Sequence, residues 1–342
     1  MHLAARRSLR RPARLLALGT AVAAAAVLPA CGSSSDGAAA SDAPLVVVST
    51  TQLADFARIV GGDDVEVVSL LQPNVDAHDF DPSPRDIDAL ARAAVIVRNG
   101  VGLDPWLDDA VEASGTEVEV VDASDGAMLL EGGHHHEDEG EAHAEDEGEA
   151  HAEEKEEEGH DHGDEEHDPH IWFDPANAEV MVQHVADAIV AAVPEAAADV
   201  EARTDAYLAE LAELDTWIEG ELAPLEDRKI VTDHEALTYY IDRYDLEFVG
   251  SIIPSFDTSA EVSSGSLNDL AAQIEEVGAT VIFTEQSLPA DGAETIARQT
   301  GVEVVSGEDG LYGDSLGAEG SAGATYVGMM RHNTDTIVEH LG

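Results

Sequence analysis

Cysteine and lysine are almost missing from this chain of 342 residues: there is one cysteine, Cys31, and there are two lysines, Lys155 and Lys229. A single thiol forms no internal disulfide and supplies at most one metal ligand. A disulfide framework and a multi-cysteine zinc site are therefore both excluded. Basic charge is scarce as well. The whole chain stands at −56, and since Met1–Ala30 holds five arginines and no acid, the remainder stands at −61. Such a field repels nucleic acid and anionic lipid headgroups, so neither is expected as a partner. It attracts cations over about 10 Å at 0.1 M salt, although solubility or a salty habitat produces the same composition. The chain also lacks a phosphate loop: Asn99-Gly100-Val101-Gly102 has no following Gly-Lys-Ser/Thr and reads as a turn.

The longest apolar run, Leu15–Leu28, is too short and wrongly flanked for a stable membrane span. It follows Arg6, Arg7, Arg10, Arg11 and Arg14, which makes residues 1–30 a secretory signal. Leu28-Pro29-Ala30-Cys31 resembles a bacterial lipobox, in which the cysteine is lipidated after cleavage. The expected location is extracytoplasmic, held to the cell membrane through a lipid on Cys31. Arg10-Arg11 is a poor twin-arginine signal, so the general export route is expected. Residues 31–44 are small and polar and read as a flexible tether.

Beyond the tether, short β-branched runs alternate with helical patterns. Leu45–Ser49, Val65–Leu70, Ala94–Arg98 and Glu117–Val121 read as buried strands, with helices over Gln52–Val60, Pro84–Ala93 and Pro105–Ala113. Ser83 and Pro84 form a helix start. The rhythm returns with strands at Lys229–Asp233, Leu246–Val249, Val281–Thr284 and Val302–Val305, and helices at Leu237–Tyr244, Leu267–Val277, Ala290–Thr300 and Ala324–Leu341. Alternation of this kind argues for parallel sheets covered on both faces, and 44% hydrophobic residues suffice for two cores. Between the halves, Val200, Tyr207, Leu208, Leu211, Leu214, Ile218 and Leu222 recur at helical spacing within Pro194–Leu222. That helix would run about 40 Å. The expected architecture is α/β: a lobe over 45–193, a rigid linking helix over 194–225 and a second lobe over 226–342.

Residues 122–168 interrupt the first lobe. From Glu131 onward the composition is almost only Glu, Asp, His, Gly and Ala, with His134, His135, His136, His143, His151, His160, His162 and His167. No apolar face exists to bury, so disorder is expected. Neutral imidazoles bind zinc-like ions and carboxylates concentrate cations, which suggests a weak, multivalent metal-collecting loop.

Outside that loop, four residues follow strands or sit in loops that would face a cleft. They are His78 in Asp76-Ala77-His78-Asp79, His170 in Asp168-Pro169-His170-Ile171-Trp172-Phe173-Asp174-Pro175, His234 in Thr232-Asp233-His234-Glu235, and Asp314 in Gly313-Asp314-Ser315-Leu316. Ligands of open α/β sheets bind outside the carboxyl ends of the strands, so these four can converge. Three imidazoles and a carboxylate would close a tetrahedral zinc site. Glu285 also ends a strand and could orient a ligand or replace Asp314. His184, His332 and His340 fall in amphipathic helices and are expected on the surface, and Trp106 and Trp172 are expected to pack.

With these motifs the chain resembles the metal-specific substrate-binding proteins of bacterial ABC transporters. The resemblance rests on the His78 loop, the Asp168–Pro175 string, the linking helix, His234-Glu235-Ala236-Leu237-Thr238-Tyr239-Tyr240 and Gly313-Asp314-Ser315-Leu316, and it covers the whole mature chain. Ala77 stands where many relatives carry proline. The resemblance implies two α/β lobes with the metal between them, ligation by His78, His170, His234 and Asp314, and a permease with its ATPase as partners to a single copy of this chain. It implies Zn2+ as the transported ion, since manganese relatives tend to replace the third histidine with glutamate. Manganese or another divalent ion remains the alternative. A different class, a zinc hydrolase, lacks support: there is no His-Glu-x-x-His helix and no Gly-x-Ser-x-Gly elbow. A metal-binding adhesin is not separable from a transport protein by sequence.

Overall fold

The structure is a computed structural model, and it describes residues 43–131 and 167–342. Eight strands form two parallel four-stranded sheets. The first contains β1 (Leu45–Val48), β2 (Glu66–Ser69), β3 (Val95–Arg98) and β4 (Val120–Asp122) in the order β2-β1-β3-β4. The second contains β5 (Lys229–Thr232), β6 (Glu247–Ser251), β7 (Val281–Phe283) and β8 (Glu303–Val305) in the matching order β6-β5-β7-β8. β1, Leu-Val-Val-Val, is buried along its whole length because it is flanked on both sides and covered on both faces. In each sheet the chain reverses its direction of travel beside the first strand, β1 or β5. Crevices at such switch points receive ligands in α/β folds.

Helices α1 (Thr51–Gly61), α2 (Pro84–Leu90) and α3 (Trp106–Ser114) connect the first sheet; α6 (Thr238–Arg243), α7 (Ser264–Val277) and α8 (Asp291–Thr300) connect the second. The start of α2 forms as the sequence indicates, with the Asp86 carboxylate accepting from both the Ser83 backbone N–H and its hydroxyl. α2 ends three residues earlier than its pattern suggests. α4 (Pro175–Ala192), a helix beyond those expected from sequence, is started by the Asp174 carboxylate capping the Ala176 N–H and by Pro175 in the first turn.

The linking helix, α5 (Ala197–Leu222), is 26 residues long. It buries Val200, Thr204, Tyr207, Leu211, Leu214, Ile218 and Leu222. Thr204, with its hydroxyl satisfied by the Val200 carbonyl at 2.8 Å, joins the expected stripe, and Leu208 packs at its edge, partly buried. The helix is not a free rod. It lies against α1 and α4 of the first lobe and α9 (Tyr326–Leu341) of the second. The largest apolar cluster accordingly runs through both lobes, from Val46 and Phe56 through Tyr207 and Leu214 to Ile230, Tyr326 and Met330. Phe56 of α1 stacks edge-on to Tyr326 of α9 at 5.1 Å, and the Asp55 carboxylate accepts from the Tyr326 N–H at 2.8 Å. One shared core therefore fixes the lobes to each other, with a smaller cluster on the far face of each sheet. No single helix among the described residues is long and apolar enough to cross a membrane.

Candidate metal centre

Each of the four candidate residues sits on a loop that leaves a strand or opens a helix. His78 lies beyond β2, His170 precedes the 3₁₀ turn Ile171–Phe173, His234 follows β5, and Asp314 lies in the loop between β8 and α9. The loops meet between the lobes. His78 Nε2 is 3.2 Å from His170 Nε2 and 3.7 Å from Asp314 Oδ2. Asp314 Oδ1 is 3.2 Å from His170 Nε2 and 3.4 Å from His234 Nε2. One donor atom from each of the four lies within 4.8 Å of all the others. Zinc bonds of 2.0–2.1 Å at tetrahedral angles put ligand atoms about 3.3 Å apart, so these separations suit one ion at the centre. Both oxygens of Asp314 and both ring nitrogens of His234 are buried without a hydrogen-bond partner. A cation at the centre would satisfy His234 Nε2 and one Asp314 oxygen together.

Carboxylates stand behind the three histidines, and the His170 ring is aimed by its outer nitrogen. His170 Nδ1 lies 2.6 Å from Asp168 Oδ1, both side chains fully buried, and the same oxygen accepts the His170 backbone N–H at 2.9 Å. This carboxylate holds the proton on Nδ1 and turns the Nε2 lone pair inward. Tyr239 donates its hydroxyl to the Asp168 carbonyl, and Asn99 donates its side-chain amide to the Pro169 carbonyl at 3.0 Å. Glu285 Oε1 lies 3.0 Å from His234 Nδ1, on the outer side of the ring. The Asp76 carboxylate takes the His78 backbone N–H on one oxygen and the Thr258 hydroxyl, from the second lobe, on the other.

Burial and neighbouring charges divide the titrations. Burial pushes His78 down to about 4. Burial also opposes charge on His170, but Asp168 and Asp314 outweigh it and raise that ring to about 9. His234 is raised as well, because Glu285 and Asp314 overcome its burial. Burial lifts Glu285 to about 7 against the pull of His234. Asp314 is held well below the usual carboxylate range, since His234 and His170 outweigh its own burial. Asp314 is thus ionised and available to a cation, while His170 and His234 must give up their protons for one to bind.

Comparison with known proteins decides the family. The description "Zinc-uptake complex component A periplasmic" (ZnuA) matches residues 46–340. The chain belongs to the ZnuA family. Members of the family are solute-binding components of metal transport that serve an ABC permease and its ATPase, not enzymes. The zinc-binding protein TroA of Treponema pallidum is 30% identical over 89% of this chain and 91% of its own length. The manganese-binding lipoprotein MntA of Halalkalibacterium halodurans is 29% identical over 93% of this chain and 95% of its own. The solved structure of TroA from Treponema pallidum superposes with a TM-score of 0.73 at 26% identity, covering 88% of this chain and 99% of that one.

Within the ZnuA frame, the structure brings His78, His170, His234 and Asp314 together. It places Glu285 behind His234 rather than in the place of Asp314. His167 forms an isolated antiparallel bridge with Glu131. The remaining loop histidines, His134, His135, His136, His143, His151, His160 and His162, lie outside the described residues, as does Cys31. Trp172 is fully buried and meets the His170 ring edge-on at 5.4 Å, and Trp106 packs on Phe80. His184, His332 and His340 are half-buried instead of surface residues. Each has a partner: the Asp125 carbonyl, the Gly310 carbonyl and the Glu303 carboxylate. Asp168, Asn99 and Asp76 are the supporting residues the sequence reading passed over. Asp168 and Asp76 each stand two positions before a ligand candidate, and that spacing was a usable signal. Asn99 gave none, since its partner is 70 positions away.

Proposed function

We propose that the chain is an extracytoplasmic zinc-binding protein that delivers Zn2+ to an ABC importer, with His78, His170, His234 and Asp314 as the ligands. The observation that carries the reading is the donor set: three imidazole nitrogens and one carboxylate, with three of their separations, 3.2, 3.2 and 3.4 Å, at tetrahedral edge length. Zinc takes four such ligands readily, whereas manganese favours more oxygen donors. All four side chains are nearly or fully buried, His78 being the most open at 8% exposure, so the ion would be shed of water and reached from the His78 side. A lipid on Cys31 and the tether of residues 31–44 would hold the two lobes, one copy at a time, near the permease. Residues 131–167 would collect zinc weakly and pass it on.

Manganese is the second reading, favoured by one observation: Asp314 has two unpartnered oxygens and Glu285 adds a carboxylate beside His234. Affinity measurements separate the two. The unmodified protein should bind one zinc tightly and prefer it to manganese, and His170→Ala or His234→Ala should weaken zinc at least about tenfold. Wild-type affinity in either variant would remove the ligand assignment, and a preference for manganese would remove zinc as the cargo.

A further inference from the structure

Two side chains of α1 reach across the cleft to the loop that carries Asp314. Gln52 is fully buried in the first turn of that helix. Its amide nitrogen donates to the carbonyls of Gly313 at 3.4 Å and of Asp314 at 3.2 Å. Its amide oxygen accepts the Thr51 hydroxyl at 3.1 Å, and that same hydroxyl oxygen accepts the Leu316 N–H at 2.8 Å. Neighbouring residues of the first lobe thus grip the second-lobe loop on both flanks of Asp314. On the other side, Asn333 of α9 pairs with the Tyr312 backbone through both its amide atoms, and Glu285 Oε2 accepts the Asp314 N–H at 3.3 Å. Gly313 has no room for a side chain, because a Cβ there would collide with the Glu285 carboxylate.

The grip matters because the Asp314 carboxylate is placed through its backbone, which Thr51 and Gln52 hold on one side and Asn333 and Glu285 on the other. Neither oxygen receives a hydrogen bond from the protein. How far the group projects toward the histidines is therefore set by its backbone. Oδ1 stands at 3.2 and 3.4 Å from two imidazole nitrogens, a tetrahedral spacing, while Oδ2 faces His78 at 3.7 Å. A small advance or rotation of the loop would bring the second oxygen onto the ion and raise the coordination number to five. Four ligands suit zinc, and additional oxygen suits manganese.

Resting on the zinc reading above, we propose that Gln52, braced by Thr51, is a positioning residue that keeps Asp314 a one-oxygen ligand and so sets the preference of the site for a four-coordinate metal. Gln52→Met keeps the length of the side chain and removes its donor and acceptor together, which releases the Gly313 and Asp314 carbonyls from the first lobe. Thr51→Val removes the brace at constant shape. Zinc and manganese affinities are measured for each by competition with a chromophoric chelator, and the zinc coordination number by X-ray absorption. In Gln52→Met the ratio of zinc to manganese affinity should fall at least about tenfold and zinc should gain a fifth, oxygen ligand. Thr51→Val should move the same way by less, and it decides the matter if Gln52→Met does not fold. An unchanged ratio, or an equal loss for both metals with zinc still four-coordinate, would overturn the proposal. Failure of the zinc reading itself is visible separately, in the unmodified protein and in His170→Ala.

Discussion

His78 and His170 face each other across 3.2 Å, yet their surroundings drive them apart in protonation: burial takes the first down to about 4, and Asp168 with Asp314 brings the second up to about 9. A metal needs both neutral. Binding must therefore expel protons from His170 and from His234, whose ring is raised too, over most of the physiological range, so protons and the metal compete there. Affinity should fall by at least about tenfold for each pH unit below about 9, tenfold for every proton expelled, rather than only below the ordinary histidine value. A titration calorimetry series in buffers of different ionisation heat measures both the affinity and the proton released. Equal affinities at pH 8 and pH 6 would contradict the account. The ligand candidates were legible as residues because each stands in a recognisable local string. Their supports were legible only when close in sequence, as Asp168 is. Gln52 acts on a carbonyl 262 positions away, and no local pattern points to such a contact.

All eight strands were legible in β-branched runs, with boundaries differing by one to three residues where a loop extends or trims the pairing. Less legible was what the long helix packs against, because its stripe specifies an apolar neighbour without saying which one. The structure gives that place to α1, α4 and α9. It also shows a contact no pattern announces, the Asp55 carboxylate of α1 on the first N–H of α9. Burial pushes this carboxyl up to about 6, against the Tyr326 N–H and Arg58; Glu210 adds to the rise. The folded state thus holds a proton more tightly than the unfolded chain, whose value is 3.8. The stability this contributes is complete below about pH 4 and is lost as pH rises through about 6. Asn at this position keeps an acceptor for the Tyr326 N–H and carries no charge to bury. Asp55→Asn should raise the stability at pH 8, by about 3 kcal/mol, with the gain nearly gone at pH 4. Denaturation curves at the two pH values check it, and a gain that does not change with pH would count against the buried charge.

At the scale of the whole molecule, two sheets of the same strand order enclose a site made by both lobes and held by one shared core. The sequence reading anticipated the lobes but not the shared core, since periodicity shows that a face is apolar without showing whose core it joins. The acidic insert leaves and rejoins this body through the Glu131–His167 bridge. Bridged antiparallel residues stand about 5 Å apart at their Cα atoms, so a short turn in place of 132–166 would close the chain without strain. That deletion should lower the number of zinc ions bound per molecule and leave one tight site and the melting temperature nearly unchanged. Loss of the tight site would mean that the insert supplies primary ligands. The central claim, that one zinc sits among His78, His170, His234 and Asp314, is tested most directly by anomalous diffraction from zinc-loaded crystals. The account predicts one strong peak within about 2.1 Å of the three Nε2 atoms and one Asp314 oxygen; a dominant peak elsewhere, or one that omits His170 or His234, would contradict it.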